Sequence, residues 1–432
     1  MSARIKQVKA REIFDGKGLP NIEADVMLAD GSLGRAISPG GGSRGSHEPA
    51  DLRDGDMSYC RGLGVSRAVR GVNTEINAAL AGQDAADQAT VDHLMLKLDG
   101  TPDKSRLGGN AIIAVSLACA KAAAQSKKVP LYEHFGGGRE LPVPLCLVMY
   151  GGPVYVGVPG TADFQEYGLY SFNVKSYKEG FLQSMVIYRK LAALMAQKQG
   201  FGLPKLASMA GMLTARFASD EEALDTLTRM VEEEGWMPGR DMGLYLDMAA
   251  THLHKDGQYH LGSESRTLSR EAWIARIVKL VESYPIITAI EDCLDEEDWA
   301  GWQSLTQKLG RKVQVTGDDF LVTNPARLKR AISEKCANAL VIKPNQVGTL
   351  TETFETIRLA KAAGWNTVAS IRSGEMFDPW TDHLIVGQCL GQGKMVELPA
   401  GGQQLDELIR IEEQLGDKAV YRGREILGKY VR

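Results

Sequence analysis

The sequence predicts an α/β fold in two parts, a strand-first α+β domain over residues 1–138 and a closed barrel of alternating strands and helices over 139–432. Three observations predict it. The opening residues alternate apolar and polar side chains with a period of two. From Ser66 to Lys128 the period becomes helical. Beyond Gly136-Gly137-Gly138, short apolar strands alternate with longer amphipathic helices.

In chain order, IKQVKAREIFD and PNIEADVMLADGSLGRAIS read as antiparallel strands, with Asp30-Gly31 as a hairpin turn. SRAVRGVNTEINAALAG and GGNAIIAVSLACAKAAAQSKK follow as helices, and the alanines and serine of the second allow close packing on its neighbours. The second part supplies LPVPLCLVMY, DFQEYGLYS, LYLDMAA, TAIEDCLD, VQVTGDD, ALVIKPNQ, NTVASIRS and MVELPA as strands, with helices between them. A parallel sheet with helical crossovers is expected. About eight strands in roughly 290 residues suit a TIM-like (β/α)8 barrel better than an open doubly wound sheet, since no GxGxxG opens a helix.

Composition narrows the function classes. A net charge of -4 with no basic tract gives no electrostatic reason to expect nucleic acid or anionic lipid, so the partner expected is a small molecule. The start, MSARIKQVKAREIFDG, lacks the apolar core of a signal peptide, and no long apolar run suggests a membrane span, so a cytoplasmic location is expected. The 6 cysteines form no CxxC pair and read as reduced core thiols.

Four apolar runs end on polar residues: YLDMAA on Asp247, AIEDCLDEEDW on Glu291, VQVTGDDF on Asp318 and ALVIKPNQ on Lys343. Barrel chemistry collects at strand tips, where the loops converge. Three carboxylates gathered there without histidine or cysteine repel one another unless a cation lies among them, and all-oxygen ligation suits a hard ion such as magnesium. Taken singly, each acid reads better as a loop residue or helix N-cap; three successive tips followed by a lysine favour the ion. Lys343 beside it could abstract a proton next to a carboxylate, its pKa lowered by neighbouring positive charge and the enolate stabilised by the metal. The structural alternative is a lysine that only pairs with an acid. Arg372 and Ser373 in SIRSGE offer a fork and a hydroxyl to a phosphate or carboxylate. SPGGGSRGS, residues 38–46, has the glycine content of a mobile lid loop.

AREI.D, HEP..LRDGD, GGNAIIAVSLACAKAAA, VPLYEH, LDMAA, IEDCLDEEDW, GDDFLVTN, IKPNQVGTLTET, SIRSGE and LIRIEEQLG, in this order, carry a resemblance to the enolase family, enzymes that dehydrate 2-phosphoglycerate to phosphoenolpyruvate. The resemblance runs from end to end. It implies an N-terminal lid domain on an eight-stranded barrel, a homodimer or higher homo-oligomer, and one or two magnesium ions. By residue, it puts Asp247, Glu291 and Asp318 on the first ion and Ser43 of the glycine loop on the second. It makes Lys343 the catalytic base and Glu166 in FQEY an acid that assists departure of hydroxide. Arg372 and Ser373 fall at the substrate phosphate and Lys394 at the substrate carboxylate, with Gln165 as a further substrate contact.

The match fails in one half of the site. Where the family has a GDEGG loop with a second glutamate, this chain reads LASMAGM, with Ala210 in the glutamate's place and no acid from Leu203 to Ala218. The histidine after an NGG turn is missing from YGGPVYVGVPG, and Ile371 stands for the histidine of SHRSGE. In the lid loop Gly40 and Gly42 replace serine and alanine, and Arg44 replaces a threonine. The lost groups are those expected to protonate the departing hydroxide, and one general acid is worth about two to four decades in rate.

Retention of the metal and anion residues argues against decay. The resulting expectation is a magnesium-dependent lyase or transferase acting on phosphoenolpyruvate or 2-phosphoglycerate with altered chemistry. Carboxyphosphonoenolpyruvate synthases of phosphonate natural-product pathways fit. They join a phosphonoformyl group, delivered as a nucleotide ester, to an enolpyruvate unit. Ala210, Ile371 and the lid glycines would widen the site, and Arg44 would meet an extra anion unless it is a solvated loop residue. Ordinary phosphopyruvate hydratase and a non-catalytic enolase-like binding protein are the alternatives.

Overall fold

The computed structural model describes residues 3–41, 44–153, 160–199, 213–372, 374–375, 378–397, 402–428 and 430. Strands β1 (Ile5–Phe14), β2 (Pro20–Leu28) and β3 (Leu33–Ile37) form an antiparallel sheet. Helices α1 (Gln88–Asp99) and α2 (Gly109–Lys127) follow. The small residues of α2 let the backbones meet: a side chain at Gly34 in β3 would collide with the Ala118 carbonyl. The predicted helix from Ser66 is interrupted by a wider π turn over Val72–Ile76. From this stretch Asn73 and Asn77 accept from the Ala10 and Val8 N–H groups at 2.7 and 2.8 Å, which satisfies part of the edge of β1.

The barrel strands are β4 (Val143–Tyr150), β5 (Glu166–Ser171), β6 (Met242–Asp247), β7 (Ile287–Glu291), β8 (Gln314–Gly317), β9 (Ala339–Ile342), β10 (Asn366–Ser370) and β11 (Gly391–Glu397). β11 pairs back onto β4 and closes the ring. Each overlaps a stretch read as a strand, although β11 begins at Gly391 rather than Met395, which takes in Lys394. One expectation is corrected. The sheet is not parallel throughout, because β5 runs antiparallel to both β4 and β6. A direct connection over 151–165 joins β4 to β5, where a parallel pair would need a crossover back along the barrel.

Helices α3 (Tyr177–Gln199), α4 (Asp220–Glu233), α5 (Arg270–Ser283), α6 (Trp299–Leu309), α7 (Pro325–Glu334), α8 (Leu350–Ala362), α9 (Trp380–Gly387) and α10 (Gly402–Leu415) accompany the strands. Ser219, Ser269, Asp298, Asn324 and Thr349 cap five of them by accepting first-turn N–H groups. The short strands within 254–269 and helix α9 were not predicted. All six cysteines are free, and four are buried. No helix of the described residues is long and apolar enough to cross a membrane.

Alternation along the strands sets the inside of the ring. Val143, Leu145, Tyr170, Tyr245, Ala289 and Val341 share one buried apolar cluster. Two residues on from Tyr245, Ala289 and Val341, on the same inward face, come Asp247, Glu291 and Lys343. The polar residues at the strand tips are thus the top layer of a stack whose lower layer is apolar.

Candidate active site

Strand register gathers the predicted residues at one rim. Glu166, the first residue of β5, pairs with Asp247, the last of β6, and Asp247 pairs with Glu291, the last of β7. The reversal of β5 is what puts Glu166 here, since a parallel strand would carry its first residue to the opposite end. Asp318 directly follows β8 and Lys343 directly follows β9. Lys394 reaches the same level from within β11, opposite Ser370.

Lys394 is the hub of one side. Its Nζ donates to Asp247 Oδ2 at 3.0 Å and to Glu291 Oε1 and Oε2 at 3.0 and 2.9 Å, and it forms an ion pair with Glu166 Oε2 at 2.6 Å. None of the four residues is more than 5% exposed. Burial works against the ammonium, but Asp247, Glu166 and Glu291 outweigh it and hold the Lys394 pKa well above the ordinary lysine value. For Glu291, burial and then the charge of Asp247 push the carboxyl well above its usual range, and Lys394 offsets them only in part. Gln165 Nε2 reaches Asp247 Oδ2 at 3.5 Å.

On the other side Lys343 pairs with Asp318 Oδ2, and Gln346 Nε2 donates to Asp318 Oδ1 at 2.8 Å. The depression of the Lys343 pKa is expected of the ion-loaded site; without the ion the neighbouring charges balance otherwise. Burial, Arg372 and Lys394 do pull it down, but the Asp318 carboxylate in contact raises it above the ordinary lysine value. Burial likewise lifts Asp318, yet Lys343, Lys394 and Arg372 prevail and hold it at about 2. Arg372 Nη1 donates to Glu48 Oε1 at 3.1 Å and to Asn345 Oδ1 at 3.5 Å.

Glu48 is a site residue that sequence reasoning passed over, although it lies in the quoted HEP motif; its contact with Arg372 spans the two parts of the chain. Arg44 lies 3.5 Å from Glu48 Oε2 and 2.9 Å from Asp51 Oδ2, so it faces acids of its own segment. Gly40 and Gly41 rest on the loop after β10: Gly374 N donates to Gly40 O at 2.9 Å, and a side chain at Gly41 would collide with the Arg372 guanidinium. Ile371 presents no polar side-chain group there and is half-buried. Ser43, Ser373, Gly42 and Ala210 lie outside the described residues.

Among the described residues, the acids that bring three oxygens within 4.8 Å of one another are Asp292, Asp318 and Asp319, a different trio from the predicted one. Asp292 is engaged otherwise. It accepts the Asp318 and Asp319 N–H groups at 2.9 and 2.8 Å and so shapes the turn after β8. Asp247 and Glu291 offer oxygens that already hold a cation, the ammonium of Lys394, and they fit a cation better. Three carboxylates share one ammonium at Lys394. The buried excess of negative charge and the all-oxygen donor set are what a hard divalent ion satisfies.

A closed barrel that converges buried acids, lysines and an arginine on one rim defines an enzyme of the class that handles anionic substrates at a carboxylate-bound metal. The family models are specific. Residues 5–135 match the enolase N-terminal domain, and residues 139–430 match the enolase C-terminal TIM barrel domain. The chain belongs to the enolase family, a family of generally magnesium-dependent enzymes.

Proposed function

We propose that this chain is a magnesium-dependent enzyme acting on an enolpyruvate-type phosphorylated carboxylate, phosphoenolpyruvate or 2-phosphoglycerate, by chemistry other than efficient dehydration. The observation that carries this reading is one buried rim holding Asp247, Glu291, Asp318, Lys343, Lys394 and Arg372 together with Ile371, which can neither give nor take a proton. Asp247, Glu291 and Asp318 would hold the ion, with Ser43 the candidate for a second. The ion supplies charge that stabilises an enolate. Lys343 is the base and must first be released from Asp318. Arg372, with Ser373, takes the substrate phosphate in exchange for Glu48, while Lys394 and Gln165 face the carboxylate end.

Residues 1–138 act as the lid and residues 139–432 as the catalytic barrel, in a homodimer or higher homo-oligomer. The specific reaction we favour is carboxyphosphonoenolpyruvate synthesis from phosphoenolpyruvate, which is already dehydrated: its phosphate passes to water, and the freed enolpyruvate oxygen displaces the nucleotide from the phosphonoformyl phosphorus. A nucleotide leaving group does not need the missing general acids, which is the support that Ile371 lends. Arg44 is the candidate contact for the added anion, provided that it leaves Glu48 and Asp51. Phosphopyruvate hydratase is the second reading, favoured by Glu166, an acid kept within 2.6 Å of Lys394. Formation of phosphoenolpyruvate from 2-phosphoglycerate, followed in the ultraviolet with magnesium present, decides between them. A turnover typical of central metabolism would overturn altered chemistry.

A further inference from the structure

The carboxylates assigned to the metal already hold a cation that belongs to the chain, and we propose that Lys394 and the divalent ion exchange for them. Binding of the ion expels the ammonium from Asp247 and Glu291 and releases it toward the substrate. This deepens the proposed function and rests on its metal reading. Both oxygens of Glu291 lie within 3.0 Å of Lys394 Nζ, so that acid has no oxygen beyond the reach of the ammonium. Asp247 has one oxygen on Nζ at 3.0 Å, and the other accepts Ala249 N at 3.0 Å. A magnesium ion sits at about 2.0–2.1 Å from its oxygen ligands, so an ion that takes the oxygen lone pairs now facing Nζ must displace the nitrogen, positive charge against positive charge. The two compete for the same face of the cradle.

The ammonium has a place to retreat to. Its shortest contact in the cradle, 2.6 Å, is with Glu166, which is outside the proposed ligand set. The Tyr245 ring lies 5.5 Å from Nζ and offers a π face to a cation that stays near. The four-carbon stem of a lysine permits the shift. An ordered loading follows. While three carboxylates hold Lys394 it cannot serve a substrate carboxylate, so the ion precedes the substrate.

The test is titration of Mg2+ by calorimetry, or Mn2+ by electron paramagnetic resonance, into the full-length protein and its Lys394→Met, Lys394→Arg and Arg372→Met variants. Arg372→Met removes an equally buried positive charge, one paired with Glu48. Exchange predicts that Lys394→Met binds the ion about tenfold or more tighter than the native chain, by a clearly larger factor than Arg372→Met. Lys394→Arg, which keeps a cation in the cradle, should bind no tighter than native. Equal gains in the two methionine variants would overturn the exchange, as would a Lys394→Met that binds no tighter than native. If Lys394→Met folds only when the ion is present, its melting temperature should fall further on chelation than that of the native protein; an equal fall counts against the proposal. Failure of the native protein to bind either ion overturns the metal reading itself. Binding by the native chain without a gain in Lys394→Met overturns the exchange alone.

Discussion

The two sides of the rim use the same residue types in opposite ways. Along β5, β6 and β7 one ammonium serves three carboxylates, whereas after β8, β9 and β10 each cation has an acid of its own, Lys343 with Asp318 and Arg372 with Glu48, which Arg44 also faces. The first side is short of positive charge, and a buried excess of carboxylate is relieved by a cation. On the second side Lys343 and Arg372 are each already paired with an acid, so an anion that recruits either must draw it away from that acid. Because Glu48 lies in the first part of the chain, an anion that captures Arg372 also loosens a contact between residues 1–138 and the barrel. Metal on one side and phosphate on the other is therefore the arrangement that the charges favour.

The comparison breaks most sharply at Lys343. If the second side performs the chemistry, Lys343→Ala should lower exchange of the substrate C2 proton of 2-phosphoglycerate with deuterated solvent, followed by NMR, by about two to four decades while magnesium still binds. Undiminished exchange would leave Lys343 a structural partner of Asp318. Glu48→Gln comes next. It removes one partner of a buried pair whose side chains are only 1% and 4% exposed, and a loss of about 3 kcal/mol in unfolding free energy is expected from denaturant titration. The same variant should bind inorganic phosphate more tightly, since Arg372 no longer has to leave a charged acid. Weaker phosphate binding would show that Glu48 positions the guanidinium instead of competing for it. Asp318→Asn sharpens the division between the sides. Loss of a candidate ligand should weaken magnesium affinity by about tenfold or more in calorimetry, and an unchanged affinity would confine the ion to Asp247 and Glu291.

Much of this was legible from the chain because the signals were local. Apolar runs of strand length marked the eight barrel strands, and an acid or lysine at the end of a run marked the rim. Direction was not legible, since a run of apolar residues carries a period but no polarity; β5 reads the same in either sense, and Glu166 entered only through the family resemblance. Glu48 and Gln346 escaped because their roles depend on partners 324 and 28 residues away in the chain. Asp292 and Asp319 were passed over because each neighbours a more conspicuous acid. The pairing of Lys343 with Asp318 was weighed only as the structural alternative, because spacing shows which charges converge while only contact shows which of them pair.

The smallest effect expected probes an exception within the second side. Glu375, after β10, has as partners the Arg372 backbone N–H at 3.0 Å and the Thr381 hydroxyl at 2.8 Å. Neither is a cation, and burial wins over both, pushing this carboxyl up to about 7. An acid whose pKa rises on folding binds its proton more tightly in the native state, so it stabilises the fold at low pH. That contribution disappears as the pH climbs from the ordinary glutamate value of 4.5 through about 7. The melting temperature of the native protein minus that of Glu375→Gln should therefore fall across this window, by a few degrees at most. A difference that rises instead would mean that the Arg372 guanidinium compensates Glu375 after all.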